Sequence, residues 1–255
     1  MAQLNVFCNE RGGIKDDFIV TELGNHFHVV SNAACAEKIL NHFNKHKSKF
    51  DVELKPLDNA LIALQGRQSK QIIQTNLKFM EARHMQVAGV DCLVTRCGYT
   101  GEDGYEISIP KNAETVMQYL SKEAVLGGLG SRDSLRIEAG LNLYGNEMNE
   151  DTSPLECGMG WTIDKERDNY LGSGQFTQRF KKIGLIVDGP PVRHSPLFDL
   201  NRNQVGNITS GVFSPILKKS VALAQTNSDE KEFYVEGRKE QRARRVKLPF
   251  VQTQK

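Results

Sequence analysis

Three groups of residues in this sequence combine side-chain type and spacing in ways that can do chemistry. Asp16 and Asp17 stand together after Gly12-Gly13, ahead of the apolar run Phe18-Ile19-Val20. Neighbouring residues on a strand face opposite ways, so one carboxylate can stay solvated while the other enters a cleft that tunes its pKa. An Asp pair closing a turn is the simpler local reading. The segment Gly98 to Glu106, G-Y-T-G-E-D-G-Y-E, repeats glycine at 98, 101 and 104. A dinucleotide fingerprint leads from a strand into a helix. Here strand-like runs lie on both sides, so the glycines predict a tight, backbone-exposed connection that can set Tyr99 and Glu106 beside a planar ligand. A plain hairpin turn is the alternative. Arg132 and Arg136 lie one helical turn apart, with Asp133 and Glu138 nearby. Arg132, at the start of its helix, has the planar fork that holds an anionic or carbonyl-bearing ligand, although a salt-bridge ladder suits it equally. Arg136 reads as part of such an intrahelical ladder, which is nearly neutral energetically.

Other patterns carry less. His42 and His46 share a helix face at the spacing of a zinc pair, but no H-E-x-x-H and no third ligand accompany them, so a solvated face and no metal are expected. His26 and His28 alternate on a strand and read the same way. Six basic residues between Arg238 and Lys247 predict a solvated edge strand whose charges block unwanted pairing. Docking of an acidic protein is a weaker reading of that run, and nucleic-acid binding weaker still, because aromatics do not interleave with it. Asn207-Ile208-Thr209 matches a glycosylation acceptor, idle without a secretory signal.

The bulk properties set the frame. At 255 residues the chain can bury one large core or two modest ones. A net charge of +2 demands no nucleic acid partner. No apolar run approaches the ~18 residues of a membrane helix, and Met1 to Cys8 reads as a strand rather than a signal core. Five cysteines, an odd number without C-x-x-C, predict reduced and mostly buried thiols in a reducing compartment.

The elements that must position these residues follow from periodicity. Ile14 to Val20 and His26 to Val30 read as a hairpin around Gly24-Asn25. Ala33 to Phe50 and Gln68 to Met80 carry helical spacing, and 52 to 64 one or two strands. Val87 to Thr95 and Tyr105 to Ile109 flank the glycine-rich segment. Ala113 to Ala124 is an amphipathic helix, and Ser131 to Ala139 a further one. From about Lys182 short strands and turns predict a small antiparallel barrel or sandwich: Ile183–Val187, Val205–Ile208, Ser220–Ala224, Phe233–Val235 and Val246–Val251. A boundary is placed near 178, giving regions 1–178 and 179–255.

In chain order, Gly12-Gly13-Ile14-Lys15-Asp16-Asp17-Phe18-Ile19-Val20, Val29-Val30-Ser31-Asn32-Ala33, Ala63-Leu64-Gln65-Gly66, the Gly98–Glu106 segment, Gly130 to Leu141 with Leu143-Tyr144-Gly145, and Thr209-Ser210-Gly211 with Phe213-Ser214-Pro215 all resemble the glycine cleavage system T-protein (aminomethyltransferase) family. The resemblance covers essentially the whole chain. It implies an α+β, multi-domain aminomethyltransferase folate-binding fold with a C-terminal small antiparallel β-barrel. It also implies transfer of the methylene of an aminomethyl group from lipoylated H-protein to tetrahydrofolate, with release of ammonia, in glycine catabolism. Asp17 would match the catalytic aspartate, Glu106 the glutamate that binds the pterin edge, and Arg132 the substrate-binding arginine; Asn32 and Tyr99 would line the pocket. Tetrahydrofolate is then the co-substrate and H-protein the partner, with no nucleic acid and no membrane. The compartment implied is the mitochondrial matrix, or the cytoplasm in a bacterium. The chain resembles an N-terminally shortened member, beginning almost on the G-G-x-x-D-D strand, shortened again between Gly66 and Val87, with Arg67 where the family has proline and Lys15 at a normally apolar position. A catalytically silent folate-binding or H-protein-docking relative is the alternative.

Overall fold

The computed structural model describes residues 1–110 and 113–252. In chain order the strands and helices are β1 (Ala2–Cys8), β2 (Ile14–Glu22), β3 (Phe27–Ser31), α1 (Ala36–His46), β4 (Ala60–Gln65), α2 (Ser69–Ile73), β5 (Ala82–Val87), β6 (Val90–Thr95), β7 (Gly104–Ile109), α3 (Glu114–Glu123), α4 (Leu129–Glu138), β8 (Lys181–Val187), β9 (Ser195–Phe198), β10 (Gln204–Ser214), β11 (Lys219–Thr226), β12 (Glu232–Glu236) and β13 (Glu240–Val246). None of the described helices is long and apolar enough to cross a membrane. The chain folds as two compact units. Among the described residues, one contains Met1–Leu4 and Phe18–Gly128; the other contains Asn5–Asp17 and 129–252. The strands β1 and β2 each pass from one unit into the other.

In the first unit, β2 pairs antiparallel with β3, Ile19 opposite Val30 and Val20 opposite Val29. A second antiparallel sheet has the order β4-β7-β6-β5. Along β7, Tyr105, Ile107 and Ile109 are fully buried and share one face with the period of two that a pleated strand imposes. They join Leu64, Val94, Val116 and Leu120 in one apolar cluster, so α3 covers this face of the sheet. The intervening Glu106 belongs to the other face.

The second unit is built on a closed antiparallel barrel, β10-β11-β8-β13-β12-β9. The middle of its strand β11, Val221 to Ala224, is apolar without alternation because both of its faces are covered. Ala222 and Ala224 point into the barrel core with Leu185, Leu197 and Phe233. Val221 and Leu223 point outward and pack against Ile137 of α4, with Leu248 and Phe250 alongside. Closure removes the free edges that a small sheet would otherwise expose.

Several sequence expectations are corrected here. The helix expected over Gln68 to Met80 stops at Ile73, because Gln74 adopts the left-handed conformation (φ 54°, ψ 48°) and turns the chain away. Thr75 then accepts a hydrogen bond from the Leu77 amide at 3.4 Å, a local alternative to helical pairing. Only Ala60–Gln65 of the 52–64 stretch forms a strand. A turn at Ala88-Gly89, both at positive φ, divides Val87 to Thr95 into two strands. The last barrel strand is Glu240–Val246, not Val246–Val251. That strand contains much of the basic run, and it is no edge: it pairs with β12 on one side and β8 on the other. Its charges therefore do not serve to guard a free edge. The strand β9 escaped notice because it is four residues long and contains Pro196.

The core of the first unit also contains an isolated polar atom. The Tyr105 hydroxyl is buried and has no hydrogen-bond partner among the described residues. Removing an unsatisfied buried group of unchanged shape relieves a desolvation cost. Tyr105→Phe is expected to keep or raise the thermal midpoint; a clear fall would show that the hydroxyl has a partner in solution.

Candidate functional site

The glycine-spaced segment of the first unit is held from two sides. From the end of β4, Gln65 donates through Nε2 to the carbonyls of Cys97 (3.1 Å) and Tyr105 (3.2 Å), while its Oε1 accepts from Thr100 Oγ1 (3.0 Å). A Cβ on either Gly98 or Gly104 would collide with this same carboxamide. Glycine is required at both positions so that Gln65 can lie against the backbone. On the other side, Arg96 donates Nε and Nη2 to the two oxygens of Asp103 (2.8 and 2.9 Å) and Nη1 to the Leu77 carbonyl (2.8 Å). The Arg96 bonds hold the Asp103 carboxyl below its ordinary range. Gly101 adopts φ 76°, a left-handed turn that glycine takes without strain.

Glu106 emerges from this braced loop on β7, half-buried, opposite Ala63 of β4 and Thr95 of β6. Directly opposed residues share a sheet face, so Glu106 has Ala63 on one side and Thr95 on the other. The Cys97 thiol, buried beside it, is pushed upward by desolvation first and by the charge and hydrogen bonding of Glu106 second. Tyr99 is half-buried within the loop. Asn32, also half-buried, precedes the short 3-10 turn Ala33–Cys35 with extended backbone and accepts the Cys35 amide on its carbonyl (2.8 Å). Asn32, Tyr99 and Glu106 thus all belong to the first unit.

Asp17 and Arg132 belong to the second. The Asp pair lies inside β2, with Asp16 fully buried and Asp17 half-buried, so it closes no turn. What fixes the head of β2 is Asn9. Its Oδ1 accepts from the amides of Arg11 (2.9 Å) and Gly13 (3.0 Å), and its Nδ2 donates to the Glu150 carbonyl (2.9 Å). The Ile14 amide donates to the carbonyls of Asn149 (3.1 Å) and Thr152 (3.0 Å). This approach is so close that any Cβ at Gly13 would overlap the Glu150 carbonyl. Asp17 interacts electrostatically with Cys157, whose thiol burial raises to about 11. Nearby, the Lys182 amine, lowered from its ordinary value by burial, donates to the Gly140 carbonyl (2.9 Å) and Asn142 Oδ1 (2.7 Å).

Arg132 is exposed on α4. Arg136 makes the intrahelical pair expected of it, with Asp133, but it is 1% exposed and the centre of a buried network, not part of a nearly neutral ladder. It donates Nε to Asp133 (2.9 Å), Nη1 to Glu147 Oε2 (2.8 Å) and Nη2 to the Ser210 hydroxyl (2.6 Å). The other Glu147 oxygen accepts from Thr209 Oγ1 (2.6 Å). Asp133 also accepts from Arg193 Nη2 (2.7 Å), whose Nε donates to the Gly211 carbonyl (2.7 Å). Thr209-Ser210-Gly211 is thereby the strip of the barrel to which α4 is fastened. Gln65, Asn9 and Glu147 had no chemical signal of their own in the sequence, because each acts on a segment distant along the chain.

No group of three or more His, Cys, Asp or Glu residues is placed to hold a metal among the described residues. The described rings of His42 and His46 lie tilted, with centroids 4.9 Å apart.

Comparison with known proteins gives this geometry its context. The GCVT N-terminal domain family matches residues 1–167, and the glycine cleavage T-protein C-terminal barrel domain matches residues 181–252. The chain belongs to the glycine cleavage T-protein family. Among its T-protein relatives, the human mitochondrial aminomethyltransferase is 42% identical over 282 residues, covering 98% of this chain and 70% of that protein. The Dictyostelium discoideum mitochondrial aminomethyltransferase is 40% identical over 260 residues, covering 88% of this chain and 64% of that protein. The crystal structure of glycine cleavage system aminomethyltransferase T from Bartonella henselae matches with a TM-score of 0.92 at 31% identity, covering 99% of this chain and 76% of that one. The mixed helix-and-sheet fold with its C-terminal six-stranded barrel is the T-protein fold. The human alignment, at 282 positions, is longer than the 255 residues here, so that T-protein carries internal residues this chain lacks.

Two outcomes follow from the fastening of the site elements. Arg136→Ala leaves Glu147 buried without its cation, and a loss of about 3–5 kcal/mol is expected in denaturant unfolding; a loss under ~1 kcal/mol would show the network is dispensable. Asp103→Asn tests the loop clamp by its pH dependence. The folded pKa of Asp103 is lowered, so its stabilisation is present above the unfolded value of about 3.9 and is lost as pH falls through the folded one. The variant is therefore expected to be less stable than the parent at neutral pH, with the gap closing in acid; a constant gap would remove the ion pair as its cause.

Proposed function

We propose that this chain is an aminomethyltransferase of the glycine cleavage system, moving the methylene of a lipoyl-bound aminomethyl group to tetrahydrofolate and releasing ammonia. The observation that carries this reading is the match of both regions, in order, to a family whose relatives at 40–42% identity are named mitochondrial aminomethyltransferases. The same relatives support a mitochondrial matrix location and lipoylated H-protein as the partner.

Each site residue has chemistry suited to a step. Asp17 is the catalytic group in this reading: its carboxylate accepts the N–H of the attacking folate amine, aligns the lone pair on the methylene carbon, and stabilises the positive charge that grows as the new C–N bond forms. The methylene's bond to the departing amine breaks, and that nitrogen takes up a proton and leaves as ammonia; its bond to the lipoyl sulfur also breaks, leaving a protonated dihydrolipoyl thiol. Two new C–N bonds to two folate nitrogens replace them, and the two N–H protons those nitrogens give up supply the amine and the sulfur. Glu106, ionised, accepts two donors from the edge of a pterin. Its position on a strand braced by Gln65 and Arg96 supports this role, because a reader of a flat heterocycle must be held still. Arg132, exposed on α4, supplies a bidentate donor for an anionic or carbonyl-bearing part of the substrate. Asn32 and Tyr99 are the further polar groups that this reading assigns to ligand contact.

The direct test mixes the purified chain with tetrahydrofolate and aminomethylated H-protein and follows ammonia with time. Ammonia release is expected. Folate binding without ammonia would replace this reading with that of a silent relative. Asp17→Asn is expected to lower turnover by about 10²–10⁴-fold while leaving folate affinity within a few fold. Equal losses in both would remove Asp17 from the chemistry.

A further inference from the structure

The first unit contains a cleft of about 520 Å³ lined by Lys70, Gln71, Gln74, Thr75, Asn76, Arg83 and Met85. It exists because α2 is short. Gln74 turns left-handed after Ile73 and takes the chain around a concavity instead of continuing a helix across it. Arg83 and Met85 alternate onto one face of β5 and form the opposite wall. The residue between them, His84, pairs with Asp91 at 3.6 Å and so keeps that carboxylate with its own side of the strand. Among the described residues, no carboxylate lines the cleft. Asp103, whose charge reaches Lys70, is already held by two nitrogens of Arg96.

The lining has a specific chemical character. Two cations stand on separate elements, so they present two points of positive charge rather than one concentrated pole. Between them lie three carboxamides, each able to donate and accept at once, which is what a peptide group requires. The Met85 thioether offers a soft apolar surface to methylene groups. A small inorganic anion would use the charges and leave the amides idle.

We propose that this cleft binds an acidic peptide segment, with two of its carboxylates at Lys70 and Arg83 and its peptide groups at the carboxamides of Gln71, Gln74 and Asn76. The site is independent of the aminomethyl-transfer reading, since it shares none of the residues assigned there. The test uses the full chain and calorimetric titration with α-linked tetraglutamate, with tetraglutamine and inorganic phosphate as separate arms at matched ionic strength. Saturable tetraglutamate binding is expected, weakening as salt rises, with tetraglutamine silent and phosphate at least about tenfold weaker. The double variant K70E/R83E places like charges at both contacts and should reduce tetraglutamate affinity by about tenfold or more. Both residues are exposed, so an unchanged thermal midpoint is expected to certify folding, and Gln71→Ala with Asn76→Ala gives a second, uncharged probe expected to weaken binding about threefold. Unchanged affinity in K70E/R83E, absence of saturable binding up to millimolar peptide, or phosphate binding as tightly as tetraglutamate would each overturn the proposal.

Discussion

An ion pair with almost no access to water is expensive to bury, and Arg136–Glu147 is offset by partners at each guanidinium nitrogen and each carboxylate oxygen. The guanidinium spends its other nitrogens on Asp133 and Ser210, and the carboxylate spends its other oxygen on Thr209 while also accepting the Leu143 amide at 2.9 Å. The consequence is geometric. A helix with one apolar residue on the barrel, Ile137, would be free to slide or rotate along an aliphatic surface. The polar network admits one register, and with it one placement of Arg132 a turn earlier on the same helix. Apolar packing supplies attraction here, and directional bonds supply position.

The braced loop of the first unit follows the same logic at smaller scale. Gln65 is a neutral side chain, yet it replaces two ladder partners by bonding the carbonyls of Cys97 and Tyr105 across the loop. It can do so only where no Cβ intervenes, which explains two of the three glycines; the third supplies a left-handed turn. The spacing of three is therefore not a ligand-binding signature in itself. It records how closely a scaffold side chain approaches the backbone, and Glu106 benefits by standing on the strand that this contact anchors.

This separates what the residues of the sequence disclosed from what they hid. The barrel strands Ile183–Val187 and Ser220–Ala224 were readable because β-branched and small apolar residues recur between turn signals, and period-two patterning needs no distant partner. The start of the Asp pair's strand was ambiguous because its fixing contacts come from Asn9 and the 149–152 backbone, more than a hundred residues away in the latter case. Arg136 was legible only in part for a related reason: the spacing to Asp133 predicted their intrahelical pair, whereas Glu147 and Ser210, far along the chain, decide its burial. Local pattern reports propensity, and burial of a charge is settled by tertiary partners. The truncated helix at Ile73 shows a milder case, in which Gln74 turns left-handed and the Thr75 hydroxyl takes the Leu77 amide in place of helical continuation.

The basic run on β13 completes the argument. Read alone, alternating arginines imply an edge strand in need of protection, and an acidic partner comes second. Closure of the barrel removes that need, since β13 is paired along both sides. The alternation still has a structural cause: Gln241 and Ala243 turn inward, while Arg242 and Arg244 stand outward beside the strand that contains Tyr234 and Glu232, their direct cross-strand partners. Arg202 lies 3.9 Å over the Tyr234 ring and pairs with Glu240, and Arg242 approaches the same ring at 5.9 Å. Within the run itself, Arg242 lies toward the Tyr234 ring and Arg245 lies 3.9 Å from Asp229, so part of this charge is met within the barrel wall. Charge count in a linear sequence overstates free positive potential wherever the pleat places glutamate and tyrosine opposite arginine.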